Sequence, residues 1–149
     1  MDNCIICSKH HMKKNIVFEA KHTIVSLGAL ESQILGYLYL EPKRHIEFWD
    51  ELTEEEFLEL GVILRKISLF LKRELKTERV YTVTISEAVR HLHIHVIPRE
   101  CDSDVRGIPL IEQATQQKVI QDRHISEKEI EVFIKNIHSF LNQGVLMPS

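Results

Sequence analysis

The sequence predicts an α+β fold built on an antiparallel sheet. Three observations predict it. Five short β-rich runs are spread between Ile16 and Pro98. Two stretches carry capped, amphipathic helix patterns, one between the fourth and third runs and one after the last. The resulting order of strands, helix, strands, helix is that of an antiparallel sheet with its helices set apart from it. The 149 residues, 44% of them hydrophobic, suit one domain, 1–149, with its own core.

Ile16-Val17-Phe18-Glu19 and His22-Thr23-Ile24-Val25-Ser26 read as two strands joined at Ala20-Lys21. Gly28 to Leu35 is a loop, bounded by Gly28 and Gly36. Tyr37 to Leu40 is a third strand, stopped by Pro42. Ile46, Phe48, Trp49 and Leu52 line a short helical turn. A long helix then starts at Thr53, an N-cap whose capping box is completed by Glu56. Leu52 and Phe57 form its hydrophobic staple. Phe57, Leu60, Leu64, Ile67, Leu71 and Leu75 recur at spacings of three and four, an apolar stripe that faces a sheet. Lys72, Arg73 and Lys76 suit the negative end of the helix dipole.

Val80 to Ile85 is a fourth strand. Ser86 to Arg90 is a short connection to the fifth, His91-Leu92-His93-Ile94-His95-Val96-Ile97-Pro98. A connection this short makes the pair antiparallel. Strict alternation sets Leu92, Ile94 and Val96 on one face and His91, His93 and His95 on the other. Arg90 alternates away from the histidines. Pro98 has no N–H for the ladder, so pairing is expected to end there. Glu100 to Pro109 reads as a polar loop, and Gln113 to Arg123 has no clear period. The last helix, about 126–143, is capped by Ser126 and Glu129, with Ile125 and Ile130 as its staple. Its stripe is Ile130, Phe133, Ile134, Ile137 and Leu141. Gly144 is placed at its C′ position, with Pro148 beyond.

Composition sets bounds on function. A net charge of −3 supplies no basic field for nucleic acid. The start, Met-Asp-Asn-Cys, has neither the cationic nor the apolar run of a signal peptide, and no stretch is long enough to span a membrane. Three cysteines are not a secreted disulfide framework, so a cytoplasmic location is expected.

Cys4-Ile-Ile-Cys7 is half a zinc site or a redox pair. A redox pair would open a helix after a strand, and nothing strand-like precedes it. Half a zinc site needs two more ligands. His10 and His11 are near but read as solvated; His45 and His91 are distant in sequence. The strand histidines cannot all join one ion. At about 3.3 Å per residue, His91 and His95 begin about 13 Å apart, whereas a zinc–nitrogen bond is about 2 Å. At least one of them does something else, and imidazole is a good nucleophile and proton carrier near neutral pH.

His-Leu-His-Ile-His-Val-Ile resembles the signature of the histidine triad family. Leu40-Glu41-Pro42-Lys43-Arg44-His45 with Leu52-Thr53-Glu54-Glu55-Glu56 is similar to the family's other recurring stretch. The resemblance runs from Cys4 to about Arg99. It implies a five-stranded antiparallel sheet with one long central helix, the C-terminal helix being an extension, and a homodimer. It implies a hydrolase or transferase acting at the α-phosphate of a nucleotide conjugate, such as a dinucleoside polyphosphate or a nucleoside phosphoramidate. His93, the middle histidine, would be the nucleophile and form a nucleotidyl-histidine; His95 would hydrogen-bond the phosphate. The favoured metal set is Cys4, Cys7, His45 and His91 around a structural zinc, and the resemblance implies the same. Glu87 and Ala88 fall where family members carry Gln or Asn and then Ser or Thr against phosphate. That departure favours a second reading, a zinc-stabilised nucleotide-binding module with little catalysis. The intact triad favours the first. A metalloenzyme with an open zinc on two triad histidines is a third, weakened by the Cys-x-x-Cys and His45.

Overall fold

The computed structural model describes residues 3–120, 122 and 124–143. Its centre is a five-stranded sheet in the order β1-β2-β3-β5-β4, antiparallel at every pairing. The strands are β1 (Ile16–Glu19), β2 (Thr23–Leu27), β3 (Leu38–Pro42), β4 (Thr77–Val83) and β5 (Ile94–Glu100). The helices are α1 (Ile5–Met12), α2 (Glu54–Glu74), α3 (Ile108–Ala114) and α4 (Glu127–Asn142).

The expected α+β class and the antiparallel five-stranded sheet with one long helix are what the chain forms. Alternation along the strands divides the sheet into two faces. Val25, Leu27, Leu38, Leu40, Ile94 and Val96 point to one, where α2 and α4 cover them with Leu60, Ile63, Ile67, Phe70, Leu71, Phe133, Ile137 and Leu141. Burying a side chain of this size stabilises the fold by about 2 kcal/mol. Truncating one that is fully enclosed, such as Ile67, costs about 2–5 kcal/mol because a cavity is left. Residues of the opposite face include Ser26, Tyr39, Glu41, His95 and Ile97. There α3 packs Leu110 and Ala114 against Tyr37 and Ile97, and α1 reaches Ser26 and Glu41. The strip between α1 and α3 holds the histidines.

Thr53 caps α2 as expected, its Oγ1 accepting from Glu56 N at 3.1 Å while Glu56 Oε1 accepts from Thr53 N at 2.8 Å. Ser126 and Glu129 repeat the device on α4. The α2 stripe is rotated from the expected one. Phe57 is 54% exposed and lies edge-on to Trp49, while Ile63 and Phe70 are buried. The sheet and α4 together cover a wider arc of the helix than one strict stripe.

Other boundaries moved. β4 starts three residues before Val80 and stops at Val83. β5 begins at Ile94, so His91, Leu92 and His93 precede the strand. Pairing does not end at Pro98: Val80 faces Pro98, and the β4 ladder continues to Thr77 opposite Glu100. Beyond Val96 the strand is paired to β4 alone, because its antiparallel neighbour β3 begins only at Leu38. A residue without an N–H is tolerated where one side of the strand has lost its neighbour. Two helices carried no recognised signal. α1 is capped by a cysteine, Cys4 Sγ accepting from Cys7 N at 3.3 Å. α3 begins inside the expected polar loop, at Ile108 with Pro109 in its first turn, where proline suits the helix start. Gly144 and Pro148 lie outside the described residues.

Candidate functional site

Two groups of side chains occupy the strip. The first is the cluster Cys4, Cys7, His45 and His91, whose donor atoms all lie within 4.8 Å of one another. Cys4 caps α1 and Cys7 sits in its first turn. His45 follows β3. Leu92 N donates to Ile46 O at 2.7 Å, which ties the His45 segment to the His91 segment. Arg44 anchors the same segment from the other side, with Nε and Nη2 at 3.1 and 2.8 Å from the Glu56 carboxylate and Nη2 at 2.6 Å from Glu51 O. The recurring Pro-Lys-Arg-His and Leu-Thr-Glu-Glu-Glu stretches therefore meet through Arg44 and Glu56.

The donor set fits a tetrahedral ion. Sulfur at about 2.3 Å and nitrogen at about 2.0–2.1 Å from zinc would set sulfur–nitrogen edges near about 3.6 Å. Cys4 Sγ and Cys7 Sγ each lie 3.5 Å from His91 Nδ1, and Cys7 Sγ lies 3.6 Å from His45 Nδ1. His91 Nε2 donates to Pro42 O at 2.8 Å, which fixes the tautomer so that Nδ1 carries the lone pair. Burial, with His10 and His45 adding to it, holds the His91 ring down to about 4, so it is neutral, the form a metal accepts. Burial and the neighbouring Cys4 push the Cys7 thiol up to about 11, so a cation is the partner that would favour its thiolate.

His10, expected to be solvated, is not. Its Nε2 pairs with Glu41 Oε1 at 2.9 Å. Glu41 is fully buried on β3 and also meets Lys9 and Ser26 Oγ. Burial raises the Glu41 carboxyl, but His10 and Lys9 outweigh it and hold the group below its usual range. This ion cluster pins α1 to the sheet. His11 is exposed.

The second group is His93 and His95, with ring centroids 5.1 Å apart. Neither belongs to the cysteine cluster, so the histidines divide as the distances along the strand required. His93 Nδ1 lies 2.7 Å from His91 O. A carbonyl only accepts, so Nδ1 bears the proton and Nε2 is left with a free lone pair. His93 N donates to Ser86 Oγ at 3.4 Å. His95 is buried, with Nδ1 2.7 Å from Tyr37 Oη. Burial and then His93 hold the His95 ring down to about 4. Tyr39, opposite His95 on β3, stands edge-on to both imidazoles at 6.0 and 5.3 Å. The histidine face is thus largely enclosed, not an open polar surface.

The connection before the histidines divides differently from expectation. Ser86 contacts His93, while Glu87 is exposed. Ala88, with Val89 and Arg90, lines a surface hollow of about 360 Å³ shared with Cys4, Ile5 and His45. Sequence reasoning missed Ser86 and Tyr37. Ser86 holds a left-handed φ of 54°, rare for serine and not readable from residue type. Tyr37, expected to open the third strand, stands one residue before β3, and its residue type names no partner.

An antiparallel sheet that carries a histidine-bearing strand, flanked by a Cys2His2 donor set, defines the class of protein. The chain belongs to the HIT domain family, whose model matches residues 9–102. A curated relative, bis(5'-adenosyl)-triphosphatase of Dictyostelium discoideum, is 26% identical over 95 residues, 60% of this chain. The match spans 63% of that relative's length, less than two thirds of it. A hypothetical histidine triad nucleotide-binding protein of Sulfolobus tokodaii superposes with a TM-score of 0.67 at 22% identity, over 93% of this chain and 91% of its own. A zinc-bound histidine triad family protein of Mycobacterium smegmatis gives 0.65 at 16% identity, over 93% and 97%. These likenesses show the fold.

Proposed function

We propose that this protein hydrolyses or transfers the nucleotidyl group of a nucleotide conjugate, either a dinucleoside polyphosphate or a nucleoside phosphoramidate, with His93 as nucleophile. The observation that carries this reading is the 2.7 Å contact between His93 Nδ1 and His91 O. It aims an unprotonated Nε2 away from the backbone. Nε2 attacks the α-phosphorus, a phosphorus–nitrogen bond forms, and the bond to the leaving group breaks. The phosphorylated ring is cationic, and its Nδ1–H keeps donating to the His91 carbonyl, which stabilises that charge. Water then attacks the same phosphorus and the phosphorus–nitrogen bond breaks. The nucleoside monophosphate and a proton leave, and neutral His93 returns. His95 hydrogen-bonds the phosphoryl oxygens as charge builds.

Cys4, Cys7, His45 and His91 would hold a structural zinc, supported by the tetrahedral sulfur–nitrogen spacings and by the zinc-bound neighbour. The metal's role would be structural, since two cysteines and two histidines complete a four-coordinate set. Held there, it would brace the segment that carries the His91 carbonyl. Glu87 and Ala88 belong to the proposed substrate-binding set with His95. The likeness to a bis(5'-adenosyl)-triphosphatase favours a dinucleoside polyphosphate. We take residues 1–149 as one domain, since Phe133, Ile137 and Leu141 of α4 join the same core as the matched residues. A homodimer and a cytoplasmic location belong to the same proposal. The seven-residue β4 forms one edge of the sheet, and no described helix is long and apolar enough to cross a membrane.

Incubation with diadenosine polyphosphates and adenosine phosphoramidate tests the reading. Release of AMP that His93→Asn reduces by at least about 1,000-fold supports it. The binding-module alternative, favoured by the exposed carboxylate of Glu87, predicts nucleotide binding without turnover.

A further inference from the structure

We infer that Tyr37 is a positioning residue that sets the tautomer of His95, and that Gly28 is glycine to make room for it. The inference rests on the proposed role of His95 and adds a residue to that site. Tyr37 is 2% exposed, and its ring lies nearly parallel to that of His95, 19° apart with centroids at 6.0 Å. Its Oη is 2.7 Å from His95 Nδ1.

A buried phenol needs an acceptor for its proton. Tyr39 neighbours the phenol, but the partner that meets hydrogen-bond geometry among the described residues is His95 Nδ1, at 2.7 Å. Burial pushes the Tyr37 phenol far above its usual range, so the hydroxyl stays protonated. A neutral imidazole that accepts at Nδ1 must carry its proton at Nε2. His95 is therefore the Nε2–H tautomer, a hydrogen-bond donor. His93 is the opposite tautomer, with its lone pair at Nε2. Two imidazoles 5.1 Å apart are thus assigned opposite tasks by two different partners, a carbonyl and a phenol.

Gly28 shows how closely the phenol is held. A Cβ at this position would fall 2.4–2.7 Å from three Tyr37 ring carbons, inside any van der Waals contact. Gly28 N also donates to Tyr37 O at 2.8 Å. The absence of a side chain, not an unusual φ, is what the position requires. Tyr39 also packs against the ring, edge-on to Tyr37 at 5.3 Å.

The test is a long-range proton–nitrogen correlation spectrum of the full-length, zinc-loaded protein with labelled histidines, assigned with His93→Asn and His95→Asn. His95 should appear as a single Nε2–H tautomer near neutral pH. Tyr37→Phe should broaden it into a mixture and lower kcat about tenfold, with KM changed by less than about twofold. Gly28→Ala should do the same by displacing the ring. A wild-type His95 protonated at Nδ1, or a Tyr37→Phe protein with unchanged tautomer and kcat, overturns the inference. The wild-type spectrum decides even if the variants fail to fold. It also needs no substrate. Nε2–H in a protein that turns over no nucleotide conjugate would sink the hydrolase reading and uphold this one, and turnover with Nδ1–H would do the reverse.

Discussion

His93 Nδ1 lies 2.7 Å from the carbonyl oxygen of His91, so a donor of the Cys2His2 cluster holds the ring proposed as nucleophile through its own backbone. The proposed metal donors and the proposed nucleophile are thus joined through backbone: His91 Nδ1 lies 3.5 Å from each cysteine sulfur, and its Nε2 donates to Pro42 O at 2.8 Å. On the proposed reading, order imposed by a bound metal would reach His93 across one residue.

Metal removal should therefore damage activity without touching substrate. Purified protein is expected to hold near-stoichiometric zinc by metal analysis. Cys4→Ser should lose the metal and about 10 °C or more of melting temperature. Its kcat should fall more than its KM rises, because the positioning of His93 is disturbed. Metal-free native protein that melts no lower than zinc-loaded protein would count against the zinc assignment.

Acid stability should depend on Glu56. The Arg44 guanidinium and the Thr53 backbone hold its carboxyl down to about 2. A carboxyl depressed in the folded state stabilises at pH values above its unfolded value of about 4.3, and that contribution is lost as pH falls towards about 2. Arg44 is half exposed, so solvent screens the pair, and ~1–2 kcal/mol is the expected size. Denaturant midpoints should show Glu56→Gln less stable than native protein at pH 7 and converging with it near pH 2. A constant gap across that range would rule out the ion pair as the cause.

The exposed Glu87 carboxylate has no ion-pair partner among the described residues. Placed near a phosphate, it repels the anion and offers no donor. Glu87→Gln should raise kcat/KM on dinucleoside polyphosphates severalfold at fixed pH. Equal or lower activity would place Glu87 away from the phosphate, or opposite a cationic part of the substrate.

Sheet and long helices were legible because their signals are local. Capping boxes and spacings of three and four mark α2 and α4 without reference to the rest of the chain. The Cys-x-x-Cys spacing and the family resemblance pointed to Cys4, Cys7, His45 and His91 together, and the fold gathers their donor atoms within 4.8 Å. What was not legible depends on contacts across the fold. The stripe of α2 turned towards Ile63 and Phe70 because α4 supplied a second surface. Pro98 stayed in the ladder because it lies past the start of β3, where β5 has only β4 beside it. Tyr37 reads as a β-former in sequence, and only the fold brings it 58 residues along the chain to His95.

The most direct test of the central claim is intact mass after rapid mixing with adenosine phosphoramidate or diadenosine tetraphosphate, quenched under alkaline conditions that spare a phosphorus–nitrogen bond. The native protein should gain one adenylyl group, mapped to His93, that forms and decays at the rate of AMP release. His93→Asn should gain none and release no AMP above background. Full turnover with no adduct, or an adduct that persists in His93→Asn, would contradict His93 as the nucleophile.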